Sequence, residues 1–130
     1  MADFRTALGR ARGLGSAKHG VGHFISQRVS AVALVILVLW AVQSVLRLAH
    51  ADYENAVLWL RYPWNAILGA LLIAVACFHM QLGMRVIIED YIHKAPTKAA
   101  LLILNLFVAG LVAAVGVFAI LKVALGGGAY

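Results

Sequence analysis

The chain has 130 residues, a net charge of +6, and a composition that is 64% hydrophobic and only 12% charged. A soluble domain of this size leaves much of its chain exposed and has nowhere to hide that much apolar surface, so a water-soluble fold is excluded and a bilayer is implied. The basic excess does not mark a nucleic-acid binder either, because the arginines and lysines lie at the ends of apolar runs and in an N-terminal arm.

Residues 1–24 form that arm. Five glycines and little apolar periodicity predict a segment without fixed structure of its own, or one ordered only by a partner. No cleavable signal peptide is evident, since the first apolar run starts near Val29 and lacks a small-residue cleavage pattern. The arm also resembles, weakly, a mitochondrial transit peptide, but a bacterial cytoplasmic arm looks the same, and a bacterial inner membrane is the expected location.

Three uncharged runs follow, Val29–Leu46, Pro63–Met84 and Ala99–Leu121, of 18, 22 and 23 residues. A spanning helix needs about 20 apolar residues. The first run reaches that length once Gln27 and Arg28 snorkel at one end and Arg47 at the other. Transmembrane helices are therefore predicted over approximately 26–49, 63–92 and 97–124, in a single membrane domain covering 1–130. Runs this continuous argue against a membrane barrel, whose strands alternate in short segments.

In the first connection, Tyr53, Val57 and Leu60 recur at helical spacing and predict a short interfacial helix, with Tyr62 and Trp64 in the aromatic belt. Pro63 suits the first turn of the second helix. Pro96 blocks that helix from continuing, and Thr97 is the expected N-cap of the third. Gly110 and Gly116 give the third helix a smooth face for close packing. Eight basic residues (Arg5, Arg10, Arg12, Lys18, Arg28, Arg85, Lys94, Lys98) fall on one side of the three spans. Three (Arg47, Arg61, Lys122) fall on the other. The expected topology has the N-terminus cytoplasmic and the C-terminus periplasmic.

The chemistry is concentrated on the second helix. At about 100° per residue, Gly83, Val86 and Asp90 all lie within about 40° of the His79 direction, with Asp90 roughly 16 Å further along the axis. An ionisable residue inside a span is costly and usually has a partner or a task. His79 is either a haem ligand or a buried histidine hydrogen-bonded to another helix. Gly83 either admits a flat macrocycle or serves close packing. A haem held by two histidines needs a second ligand from a partner subunit, because His19, His23, His50 and His93 lie in or beside connections. Tyr91 and Asp90 at the helix end suit hydrogen bonding to a quinone carbonyl and proton relay, or simple interfacial anchoring. Arg28, like Ser30, is expected at a depth similar to Asp90. There it would pair with a haem propionate or a carboxylate, or only set topology. Cys77 is a small packing residue. No metal-type cysteine spacing, phosphate loop or nucleophile arrangement is present.

The segment His79-Met-Gln-Leu-Gly83-Met-Arg-Val-Ile-Ile-Glu-Asp90-Tyr91 resembles the signature of the hydrophobic membrane-anchor subunits of succinate dehydrogenase (respiratory complex II), the smaller of that enzyme's two anchor polypeptides. The opening His23-Phe-Ile-Ser-Gln-Arg28-Val-Ser-Ala resembles the same family where its first helix begins, and the flavour is alphaproteobacterial. The resemblance implies that His79 is one axial ligand of haem b, shared with the larger cytochrome b anchor subunit. It implies that Tyr91 hydrogen-bonds ubiquinone with Asp90 in support, and that Arg28 lies near the haem propionates. An iron–sulfur subunit and a flavoprotein subunit would complete the enzyme. Succinate oxidation would occur on the flavin, so that this chain contributes no catalytic residue. One related group lacks haem, and the presence of His79 favours a haem-containing form. The competing expectation is a non-redox scaffold that tethers a soluble complex. A small transporter is disfavoured, since no helix is broken mid-membrane and no acidic residue sits at the midplane.

Overall fold

Five helices follow one another in the computed structural model, which describes residues 6–13 and 20–126. They are α1 (Ala7–Gly13), α2 (Gly20–Leu48), α3 (Tyr53–Arg61), α4 (Pro63–Tyr91) and α5 (Ala95–Leu125). Among the described residues there are no strands. Helices α2, α4 and α5, with 29, 29 and 31 residues, are long and apolar enough to cross a membrane. At 1.5 Å per residue each exceeds the roughly 30 Å hydrocarbon layer, so their ends project into the headgroup regions.

The helix ends show why the chain breaks where it does. Asp52 caps α3, its carboxylate accepting the Asn55 backbone N–H at 2.9 Å. A single extended residue, Tyr62, both closes α3 and opens α4, and Pro63 occupies the first turn of α4. Helix α5 begins at Ala95, with Pro96 inside its first turn and Lys94 at the cap position without a side-chain bond. Pro96 therefore starts the third span rather than merely blocking the second, and Thr97 lies within the helix. The first-turn N–H that proline lacks has no intrahelical partner to lose. On the other side, Lys98 Nζ donates to the Glu89 carbonyl at 2.8 Å, covering an end carbonyl of α4.

The N-terminal boundary differs most from expectation. Helix α2 starts at Gly20, and α1 forms within the arm. Arg5, Lys18 and His19, like residues 127–130, lie outside the described residues.

Helix α4 is the middle member, packed antiparallel against α5 on one side and α2 on the other, while α2 and α5 share little contact. On α2 the buried residues Ser30, Leu37 and Ser44 recur every seven positions, forming one seam toward α4. The serine hydroxyls are satisfied within the helix, Ser30 Oγ donating to the Gln27 carbonyl (3.1 Å) and Ser44 Oγ to the Trp40 carbonyl (2.7 Å). Between α4 and α5, a Cβ at Gly116 would stand 2.8 Å from Ile73 Cγ2, so glycine is what permits that approach. Gly110 has nothing within 4 Å of its Cβ direction and plays no such part. Asn105 Nδ2 donates to the Gln81 carbonyl at 2.9 Å across the same interface.

Helix α3 tucks against the far ends of α4 and α5. Trp59 stacks on Trp40 of α2 with ring centroids 5.9 Å apart, and Arg61 Nη2 donates to the Gly126 carbonyl at 2.6 Å.

Candidate functional site

The site is built where the seam of α2 meets α4. His79 Nδ1 lies 2.9 Å from Ser30 Oγ, and Ser30 is only 5% exposed. His79 Nε2 lies 3.5 Å from Gln27 Nε2. Ser30 Oγ also lies 3.1 Å from the Gln27 carbonyl, so the hydroxyl bridges that carbonyl and the ring. With the hydroxyl proton on that carbonyl, the ring proton sits on Nδ1 and the Nε2 lone pair faces the Gln27 amide; with it on the ring, the two nitrogens exchange roles.

Two grooves meet at this ring. One, of about 480 Å³, is lined by His23, Phe24, Gln27, Arg28, Ala31 and His79, with Gly20 and Val86 at its margins. The other, of about 390 Å³, is apolar and lined by Leu34, Val35, Val38 and Leu39, again with Ala31 and His79. Together they form a trough that is polar at the Gly20 end of α2 and apolar toward mid-membrane, with an imidazole between the two halves. Two buried polar atoms along it lack a partner, His23 Nε2 and Gln27 Oε1. The trough can accept a flat amphipathic molecule with an apolar body and a polar edge.

The remaining residues singled out by the sequence are positioned differently. Arg28 is exposed and stacks its guanidinium over the Phe24 ring at 5.2 Å. It lines the polar groove, and it forms no ion pair with Asp90. The register pairs Gln27 with Gly83 (3.6 Å from the Cβ direction to Gln27 Nε2) and Ser30 with His79. Extending it puts Asp90 level with the first turn of α2, so Arg28 and Ser30 lie deeper than Asp90. A Cβ at position 83 would meet the Gln27 side chain only at ordinary van der Waals distance, so this contact does not demand glycine. Asp90 and Tyr91 stand exposed at the end of α4, Tyr91 at 76%, and neither touches His79. Beside them Arg85 Nε donates to Glu89 Oε1 at 2.7 Å, an exposed i,i+4 pair.

Sequence reasoning missed Gln27 and His23, and gave Ser30 no role toward His79. Gln27 does not snorkel, and His23 lies inside α2, not beside a connection. The signal was present: positions 23, 27, 30, 34, 37, 41 and 44 alternate four and three apart, and three of the four polar members of that stripe, His23, Gln27 and Ser30, stand at the site.

Three apolar helices, an open trough along two of them and a half-buried histidine within it define a multi-pass helical membrane protein. Residues 2–119 match the model of the succinate dehydrogenase/fumarate reductase transmembrane subunit family, and the chain belongs to that family. It is similar to succinate dehydrogenase hydrophobic membrane anchor subunits from several bacteria. The one from Rickettsia bellii is 36% identical over 102 residues (78% of this chain, 81% of the relative). The one from Rickettsia conorii is 33% identical over 103 residues (78% and 82%). The one from Paracoccus denitrificans is 34% identical over 116 residues, covering 89% of each chain. No solved structure matches. The chain is accordingly a multi-pass bacterial inner-membrane protein, and its role is that of a membrane-anchor subunit of succinate dehydrogenase.

Proposed function

We propose that this anchor supplies one axial imidazole, from His79, to a haem b whose second ligand comes from a larger cytochrome b anchor subunit, and that Tyr91 and Asp90 form part of a ubiquinone-reduction site. The observation that carries the haem reading is the placement of the His79 ring: Nδ1 lies against a buried hydroxyl, and the ring borders both grooves. A histidine that ligates iron is neutral and commonly donates its other N–H to an oxygen that fixes the ring. The orphaned Gln27 Oε1 and His23 Nε2 add to the fit, since both are buried polar atoms along the polar half of the trough. Arg28, stacked on Phe24 at that same end, has its charge available for a propionate.

When bound, the haem supplies a one-electron redox centre within the membrane. His79 holds the iron from this chain's side. Ala31 keeps the wall beside the ring low, and Leu34, Val35 and Val38 exclude water from the apolar half. At the end of α4 the Tyr91 phenol donates a hydrogen bond to a quinone carbonyl, and the Asp90 carboxylate passes on a proton that quinone reduction consumes. The exposure of both side chains supports this, as does their place where α4 leaves the apolar region. The excess of basic residues on that side supports a cytoplasmic orientation for it, toward the iron–sulfur and flavoprotein subunits.

The bond to Ser30 also suits the scaffold reading, in which His79 is only a satisfied packing residue. One experiment separates the two. His79→Ala, in the complex assembled with its partner subunits, is expected to abolish the reduced-minus-oxidised b-haem difference spectrum or convert it from low-spin to high-spin. An unchanged low-spin spectrum removes His79 from the ligand set and leaves the scaffold.

A further inference from the structure

We infer that Ser30 is the positioning residue for His79: its hydroxyl fixes the tautomer and orientation of the imidazole, so that the ligating nitrogen faces the trough. The inference rests on the haem reading and adds a residue to it. Three contacts share one consistent placement of protons. The Ser30 hydroxyl donates to the Gln27 carbonyl at 3.1 Å. That leaves Oγ a lone pair for the His79 Nδ1–H at 2.9 Å. Gln27 Nε2, at 3.5 Å, is a donor group beside His79 Nε2, which is where a ring lone pair belongs and a ring N–H does not.

Ser30 is the sole polar partner of His79 Nδ1 among the described residues. It is a serine held by its own helix. The backbone therefore sets the hydroxyl's direction, and that in turn sets the ring. An imidazole that donates from Nδ1 to oxygen is a stronger electron donor at Nε2. The bond thus tunes the ligand as well as aiming it.

The test uses the full complex in membranes, with Ser30→Ala, Ser30→Cys and Ser30→Thr compared with wild type. The readouts are haem retention, the midpoint potential of the b haem, and its low-temperature electron paramagnetic resonance spectrum. Removing a residue that orients a metal ligand typically weakens the metal site by roughly 10- to 100-fold, so Ser30→Ala is expected to lose haem about tenfold faster or more. Its potential is expected to move positive, because a less basic imidazole stabilises the oxidised iron less. Its low-spin signal should broaden as the ring loses its fixed angle. Ser30→Thr keeps the hydroxyl and should restore all three. Ser30→Cys should fall between. If Ser30→Ala does not assemble, Ser30→Cys is read by the same criteria.

Haem retention, potential and line shape all at wild-type values in the hydroxyl-free variant would overturn the assignment. So would a Thr variant as impaired as the Ala variant. If His79→Ala leaves the haem untouched, it is the haem reading that fails. If His79→Ala loses the haem signal and Ser30→Ala changes nothing, only the role of Ser30 fails.

Discussion

Tyr91 is where a single atom decides between two readings. Its ring at the boundary of the apolar region is what an interfacial anchor looks like, and its phenol at the same point is what a quinone carbonyl needs. Tyr91→Phe keeps the ring and removes only the donor. Haem content and assembly are expected to survive. Quinone-linked succinate oxidation should fall by about 5- to 150-fold, the equivalent of a hydrogen bond worth roughly 1–3 kcal/mol. Oxidation measured with an artificial acceptor that takes electrons upstream should stay normal. Equal rates in both assays would return Tyr91 to the role of anchor. The exposed Arg85–Glu89 pair beside it, by contrast, stabilises the helix end by only about 0.3–0.5 kcal/mol and has no bearing on this outcome.

At the scale of helices, the two glycines of α5 make a matched pair. Gly116→Ala places a methyl against the branched Cγ2 of Ile73, which has no flexible end to yield, so a loss of about 1–3 kcal/mol is expected. Gly110→Ala meets open space and should be neutral or stabilising by roughly 0.5–1 kcal/mol, through reduced backbone freedom. Thermal inactivation of the two variant complexes checks the contrast, and equal midpoints would mean that the α4–α5 contact is looser than described. The same contrast shows what could be read beforehand. The three spans were legible, because uncharged runs of 18 to 23 residues have few other uses. The start of α2 was not, because Gly20 and Gly22 read as breakers, whereas glycine in the first turn of a helix meets no steric demand there. Pro96 misled for a related reason: the residue that ends one helix also suits the opening of the next. His79 was legible as a polar residue in an apolar run, but its pairing with Ser30 was not. That pairing depends on the register between α2 and α4, which no run length encodes, and the six-residue shift in where α2 starts carried Arg28 and Ser30 away from the depth of Asp90.

For the molecule as a whole, α2 and α5 flank α4 without covering one another, and much of each spanning helix is left facing outward. Lipid covers most of that surface at no cost. It cannot satisfy His23 Nε2 or Gln27 Oε1, each a buried polar atom whose isolation costs about 1–3 kcal/mol. Expressed without the larger anchor subunit proposed above, the chain should therefore have a shorter half-life in membranes than in the complex, followed by immunoblot after synthesis is stopped. Replacing both His23 and Gln27 with Leu should lengthen the half-life of the solitary chain, and a solitary wild-type chain as long-lived as the assembled one would count against this account. The two seam serines differ from these orphans in a way that bears on biogenesis. Each hydroxyl already has a carbonyl of its own helix to bind, so α2 can leave the translocon and wait in the bilayer with neither seam hydroxyl unsatisfied. When α4 arrives, Ser30 need break nothing to receive the ring of His79, because it offers only a lone pair it was not using. The first span is thus inserted with its seam hydroxyls already provided for, whatever its other polar atoms still lack.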